Sequence, residues 1–69
     1  MRNNIYITFS MRDGQRHTFM NEVAETMWIQ FLENNSWIEG QYEHEGASAV
    51  TSKVINAKYI VDVEYTEYK

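Results

Sequence analysis

The sequence predicts an α+β fold: a small two-layer domain in the order β-hairpin, amphipathic helix, loop, second β-hairpin (ββαββ), with a largely antiparallel sheet. Three observations carry the prediction. Apolar residues alternate with polar ones over Asn4 to Phe19 around an Asp13-Gly14 turn, recur with helical spacing from Asn21, and return as two short β-rich runs at the C-terminal end.

In the first run Ile5, Ile7, Phe9 and Met11 alternate with Tyr6, Thr8 and Ser10, the period of two that a half-buried strand requires. Turn length then sets the register. A two-residue loop would set Thr8 against Phe19 and Phe9 against Thr18, mixing apolar with polar residues on both faces. A three-residue loop, Arg12-Asp13-Gly14 with Gly14 in the left-handed position of a bulged turn, sets Ile7 against Phe19, Phe9 against His17 and Ser10 against Arg16. The second arrangement keeps one face apolar, and a slip of one residue would invert it. Gly14 is therefore expected to tolerate a β-branched replacement less well than Gly40 or Gly46.

From Asn21 the period changes, and Val23, Ala24, Met27, Trp28, Phe31 and Leu32 paint one side of a helix. Asn21 suits the N-cap, Glu22 and Glu25 lie where carboxylates complement the helix dipole, and Asn34-Asn35 offers a left-handed stop. Ser36 to Ser52 reads mostly as loop, with Trp37-Ile38 as a possible short strand and Gly40 and Gly46 bracketing a polar run. Lys53 to Asn56 and Tyr59 to Tyr65 read as the second hairpin, joined at Asn56-Ala57-Lys58, with Val61, Val63 and Tyr65 facing inward.

The 69 residues form one domain (1–69), close to the lower size limit for independent folding. Without cysteine there is no disulfide, thiolate chemistry or cysteine-based zinc site, so packing or self-association must supply stability. The N-terminal residues carry no apolar run of signal-sequence or membrane-span length, which predicts a cytoplasmic protein without membrane contact. The formal charge of −4 is unevenly placed: Arg2, Arg12 and Arg16 lie early, whereas Glu39, Glu43, Glu45, Asp62, Glu64 and Glu67 dominate the second half. Phosphate backbones would be repelled by most of this surface.

No reaction is written in the chain. His44 lies between Glu43 and Glu45, but adjacent residues of an extended segment point to opposite sides, and no second histidine stands at ligand spacing. His17 falls on the inner face, away from Ser10, so no nucleophile and base are paired. Phosphate-loop and nucleophile-elbow motifs are absent. The expectation is a non-enzymatic protein without cofactor or metal.

The outer sheet face is the candidate surface. If the strands share one sheet it presents Tyr6, Thr8, Ser10, Arg16, Thr18, Asp62, Glu64 and Tyr68, a mixture of charge and tyrosine that suits both contact surfaces and solvated faces. Trp37 is a further candidate anchor, and Trp28 belongs to the helix stripe. The leading expectation is a protein-interaction module that binds and modulates a larger partner through Tyr6, Arg16, Trp37, Asp62, Glu64 and Tyr68. One alternative is a structural homo-oligomer, expected as a homodimer, since its edge strands lack proline. Another is a nucleic-acid-associated regulator using Tyr6, Arg12 and Arg16 as a stacking clamp.

The closing run Lys53-Val54-Ile55-Asn56-Ala57-Lys58-Tyr59-Ile60-Val61-Asp62-Val63-Glu64-Tyr65 resembles the strand, Ile-Asn turn and strand endings of many small bacterial proteins, including those of phages and mobile elements. The resemblance implies an accessory protein of such an element and carries over no functional residue.

Overall fold

The computed structural model describes residues 4–44 and 46–69. Arg2 and Glu45, counted in the charge pattern above, fall outside them. Strands β1 (Asn4–Met11) and β2 (Arg16–Met20) lead into helix α1 (Asn21–Leu32). Strands β3 (Trp37–His44) and β4 (Ala49–Asn56) follow, then a single 3-10 turn at Ala57–Tyr59 and strand β5 (Ile60–Tyr68).

The first hairpin has the register argued from its apolar face: Ile7 opposes Phe19, Phe9 opposes His17 and Ser10 opposes Arg16. Gly14 takes φ +92°, and its N–H donates to the Met11 carbonyl at 2.9 Å, closing the three-residue loop. The Met11 N–H donates to the Gln15 carbonyl at 2.8 Å. Odd-numbered residues of β1 therefore direct their backbone groups toward β2.

At the far end of that ladder Asn21 departs from its expected capping role. It takes φ +57°, and its side-chain oxygen accepts from the Ile5 N–H at 3.3 Å. Ile5 is the next β1 residue to face β2's side, where β2 has already given way to the helix. The Asn21 amide thus stands in for the missing ladder carbonyl.

The helix ends as its sequence predicts. Asn34, at φ +60°, donates to the Phe31 carbonyl at 3.1 Å and Asn35 to the Gln30 carbonyl at 3.2 Å, the paired bonds of a Schellman stop. Of the expected stripe, Ala24 and Met27 are buried and Val23, Trp28 and Phe31 half-buried, while Leu32 is exposed, as is Ile29.

The second half of the chain corrects two expectations. Most of Ser36 to Ser52 is strand, because β3 and β4 pair with each other over their whole length, Trp37 opposing Asn56 and His44 opposing Ala49. Lys53 to Asn56 does not form a hairpin with Tyr59 to Tyr65: the 3-10 turn carries the chain to another sheet, where β5 pairs antiparallel with β1. The result is ββαβββ, with a three-stranded sheet in the order β2-β1-β5 and a two-stranded β3-β4 sheet. A bulge opposite Ser10 and Met11 shifts the register of β5, so Ile60 faces Met11 and Asp62 faces Ser10. Val61, expected to face inward, is thereby left 64% exposed, and Ile60 takes its place against Met11.

Helix α1 joins the two sheets. Phe9, Phe19, Ile7, Met27 and Ile38 are its fully buried neighbours and members, each contributing about 1.5–3 kcal/mol by burial. Ring contacts extend this core: Phe9 meets Phe19 and Phe31 edge-on, Phe19 stacks on Tyr42, and Trp28 stacks on Tyr65 at 4.8 Å. Gly40 of β3 is buried against the helix, where an added Cβ would lie 2.6 Å from Met27 Sδ and 2.8 Å from Val23 Cγ1. The glycine is what permits the close approach, so Gly40, rather than Gly14, is the least replaceable glycine.

Candidate functional site

Strand pairing assembles the outer face row by row, because residues opposed in register share a side of the sheet. Arg16, Ser10 and Asp62 form one row, Thr18, Thr8 and Glu64 the next, and Met20, Tyr6 and Thr66 the third. Tyr68, opposite Asn4, closes the face, its ring edge-on to Tyr6 at 5.7 Å. The Thr8 and Thr18 hydroxyls are 3.0 Å apart. Arg16, Thr18, Met20, Asp62, Glu64, Thr66 and Tyr68 are all exposed, and among the described residues no element packs over them.

Five of the six residues expected at a protein contact, Tyr6, Arg16, Asp62, Glu64 and Tyr68, therefore lie on one face. The sixth does not. Trp37 opens β3 in the other sheet and is 59% exposed. Met20 and Thr66 complete the third row and were missed by sequence reasoning. Their positions, two residues beyond Thr18 and Glu64, place them on this face by alternation alone.

The surface is electrically asymmetric. Arg16 lies on β2, whereas Asp62 and Glu64 lie on β5 across the width of the sheet, with the hydroxyls of Ser10 and Thr8 between them. A partner would thus meet cation, hydroxyl and carboxylate in a fixed order, while the tyrosine pair supplies ring area at one end.

The stacking clamp of Tyr6, Arg12 and Arg16 is not assembled as one cluster. Tyr6 stands two rows away from Arg16 along the sheet, roughly 13 Å at strand spacing. Arg12 turns instead to Tyr59, its guanidinium carbon 5.8 Å from the ring centroid, and the Arg12 backbone N–H donates to the Tyr59 carbonyl at 2.8 Å. The Lys58 ammonium lies 5.9 Å from the same ring. Tyr59 is thus the aromatic partner of Arg12 at the hairpin tip as well as of its neighbour Lys58, and it comes from a part of the chain that sequence spacing does not connect to Arg12.

His17 is half-buried on the inner face and lines two adjoining depressions. One, of about 340 Å³, is bounded by Met11, Arg12, Asp13, Gln15 and Tyr59, and the other, of about 240 Å³, by Met11, Phe19 and Lys53 to Asn56. His44 Nε2 lies 2.6 Å from Thr51 Oγ1 across the β3-β4 ladder. Among the described residues no three His, Cys, Asp or Glu side chains converge as metal ligands would, and no helix is long and apolar enough to cross a membrane.

Burial raises the Tyr42 phenol above its ordinary value. The Tyr65 phenol is raised by burial first and then by the negative charges of Glu25 and Glu67. Both rings belong to the aromatic core. Comparison with family models, curated proteins and solved structures found no match to this chain.

Proposed function

We propose that this chain is a protein-interaction module that binds a larger protein partner through the outer face of the β2-β1-β5 sheet and modulates it. The supporting observation is that Tyr6, Arg16, Asp62, Glu64 and Tyr68 share one face that carries no second layer among the described residues. Tyrosine provides contact area at little rotamer cost, and the ordered charges select a partner with cations opposite Asp62 and Glu64. The reading invokes no catalytic step, cofactor or metal. Its setting is the cytoplasm, and the resemblance of the closing strands favours an accessory protein of a phage or mobile element.

Capture of partners by the tagged protein, followed by mass measurement, tests it. A protein partner retained by the wild type and by Arg12→Ala, yet lost with Asp62→Lys and Glu64→Lys, is the expected outcome. Retention of nucleic acid, lost when both arginines are removed, would replace the reading with the alternative centred on the hairpin tip and Tyr59. Capture indifferent to all four substitutions would remove the outer face from consideration.

A further inference from the structure

The edge of β4 has a self-complementary pattern, and we infer that it pairs antiparallel with β4 of a second copy, centred on Ser52. This surface is separate from the outer face of the three-stranded sheet, so the two readings stand or fall independently.

The direction of the backbone groups follows from one side chain. Gln30 of the helix holds both the N–H and the carbonyl of Glu39, at 2.9 and 2.8 Å, so those groups point away from β4. Glu39 opposes Val54, and in an antiparallel pair both residues of such a position direct their groups outward. The groups of Val54, and by alternation those of Ser52 and Val50, therefore point to the free edge of β4. Those of Thr51 and Lys53 serve the ladder with β3.

Four edges flank the two sheets, and they differ in protection. The β3 edge is closed at Glu39 by Gln30. Strand β2 spans only five residues. Strand β5 carries Asp62 and Glu64, and self-pairing centred on Val63 or Glu64 would set carboxylate against carboxylate. Strand β4 lacks these devices: its eight residues include no proline and one charge, Lys53, and Ala49 to Val54 are all exposed. A two-stranded ribbon exposed in this way is marginal alone, and added strands stabilise it.

The proposed register satisfies both faces. With Ser52 opposite Ser52 of the second copy, Val50 meets Val54 and Val54 meets Val50, so the outward-pointing backbone groups of all three residues are paired. On the other side Thr51 meets Lys53, and the two lysines are kept apart. A register moved to centre on Lys53 would bring them face to face. The β3 residues continue the match, because Gln41 beside Ser52 forms a polar row across four strands, while Glu43 and Glu39 flank the valines.

The chain has no cysteine, so a single introduced thiol reports the register. Directly opposed, hydrogen-bonded residues have Cα atoms about 5.5 Å apart, within the roughly 4.4–6.8 Å that a disulfide spans. Ser52→Cys is expected to give a disulfide-linked dimer on mild oxidation far faster than Thr51→Cys or Lys53→Cys, whose thiols are not opposed to themselves. Sedimentation of the unmodified protein should show a dimer that Val50→Lys with Val54→Lys abolishes. Val50→Lys with Val54→Glu should restore it in salt-sensitive form, since Lys then meets Glu at both sites. A wild-type monomer at high concentration, equal cross-linking at the three positions, or failure of the charge-complementary pair to restore the dimer would overturn the inference. Circular dichroism of each variant separates loss of pairing from loss of fold, and should a lysine variant fail to fold, the cysteine comparison alone decides.

Discussion

Gln30 closes the edge of β3 by pairing with both backbone groups of Glu39: its Nε2 donates to the carbonyl at 2.8 Å and its Oε1 accepts from the N–H at 2.9 Å. The helix side chain thereby imitates a neighbouring strand for one residue and ties α1 to the second sheet. Gln30→Met, which keeps length and helix propensity, should cost about 1–2 kcal/mol in a denaturant melt, the net worth of two neutral hydrogen bonds. An unchanged midpoint would show that water replaces the pair without loss.

Gly40→Ala should be more damaging than its size suggests, because the new methyl would lie 2.6 Å from Met27 Sδ and 2.8 Å from Val23 Cγ1. Overpacking of this kind costs about 1–3 kcal/mol. Gly14→Ala meets no atom within 4 Å and bears only the left-handed backbone penalty of about 1–2 kcal/mol. The valine replacements should widen the gap. Part of the loss at Gly40 should be recovered in a Met27→Ala background, measured as a double-mutant cycle, and strict additivity would dissociate the two sites.

This glycine also explains which half of the fold was legible in the sequence. The first hairpin advertises itself because every inward position of β1, from Ile5 to Met11, is apolar. On β3 the inward positions are Ile38, Gly40 and Tyr42, so the middle beat of the alternation carries no side chain and the run reads as loop. Strand β4 is legible only in its second half, Lys53 to Asn56, because Ile55 is its one buried residue and Ala49 to Ser52 are all exposed. Partner choice for β5 was illegible too, since nothing local distinguishes pairing with β4 from the long-range ladder with β1. The outer-face residues were readable despite that, because alternation assigns a side to each residue whichever strand lies next to it.

Alkaline pH should weaken the fold through Tyr65. Its phenol titrates higher in the folded chain than in the unfolded one, owing to burial and then Glu25 and Glu67, so above the ordinary phenol range the native state holds the proton that the unfolded state has lost. The associated stability is complete below about pH 10 and is lost as pH rises through the folded value. Tyr65→Phe keeps the ring against Trp28 and should flatten this alkaline decline, and adding Tyr42→Phe should flatten it further. Chemical melts across the alkaline range check the sign. A steeper decline in the phenylalanine variants would refute it.

Two asparagines share the left-handed backbone but differ in what their side chains do, so glycine should separate them. Asn34, at φ +60°, acts through its backbone in the helix stop, and Asn34→Gly should be neutral or stabilising by up to about 1 kcal/mol because glycine adopts that conformation without steric cost. Asn21, at φ +57°, also accepts from the Ile5 N–H, and Asn21→Gly keeps the backbone while removing the acceptor. Ile5 is 7% exposed, so its N–H is left poorly solvated and the loss should be about 1–3 kcal/mol. Asn21→Asp, which retains the oxygen, should recover most of it. Amide exchange at Ile5 gives the direct reading: protection should fall in Asn21→Gly and persist in Asn21→Asp and Asn34→Gly, whereas equal protection in all three would mean that the Asn21 side chain is not the acceptor that completes the β1 ladder.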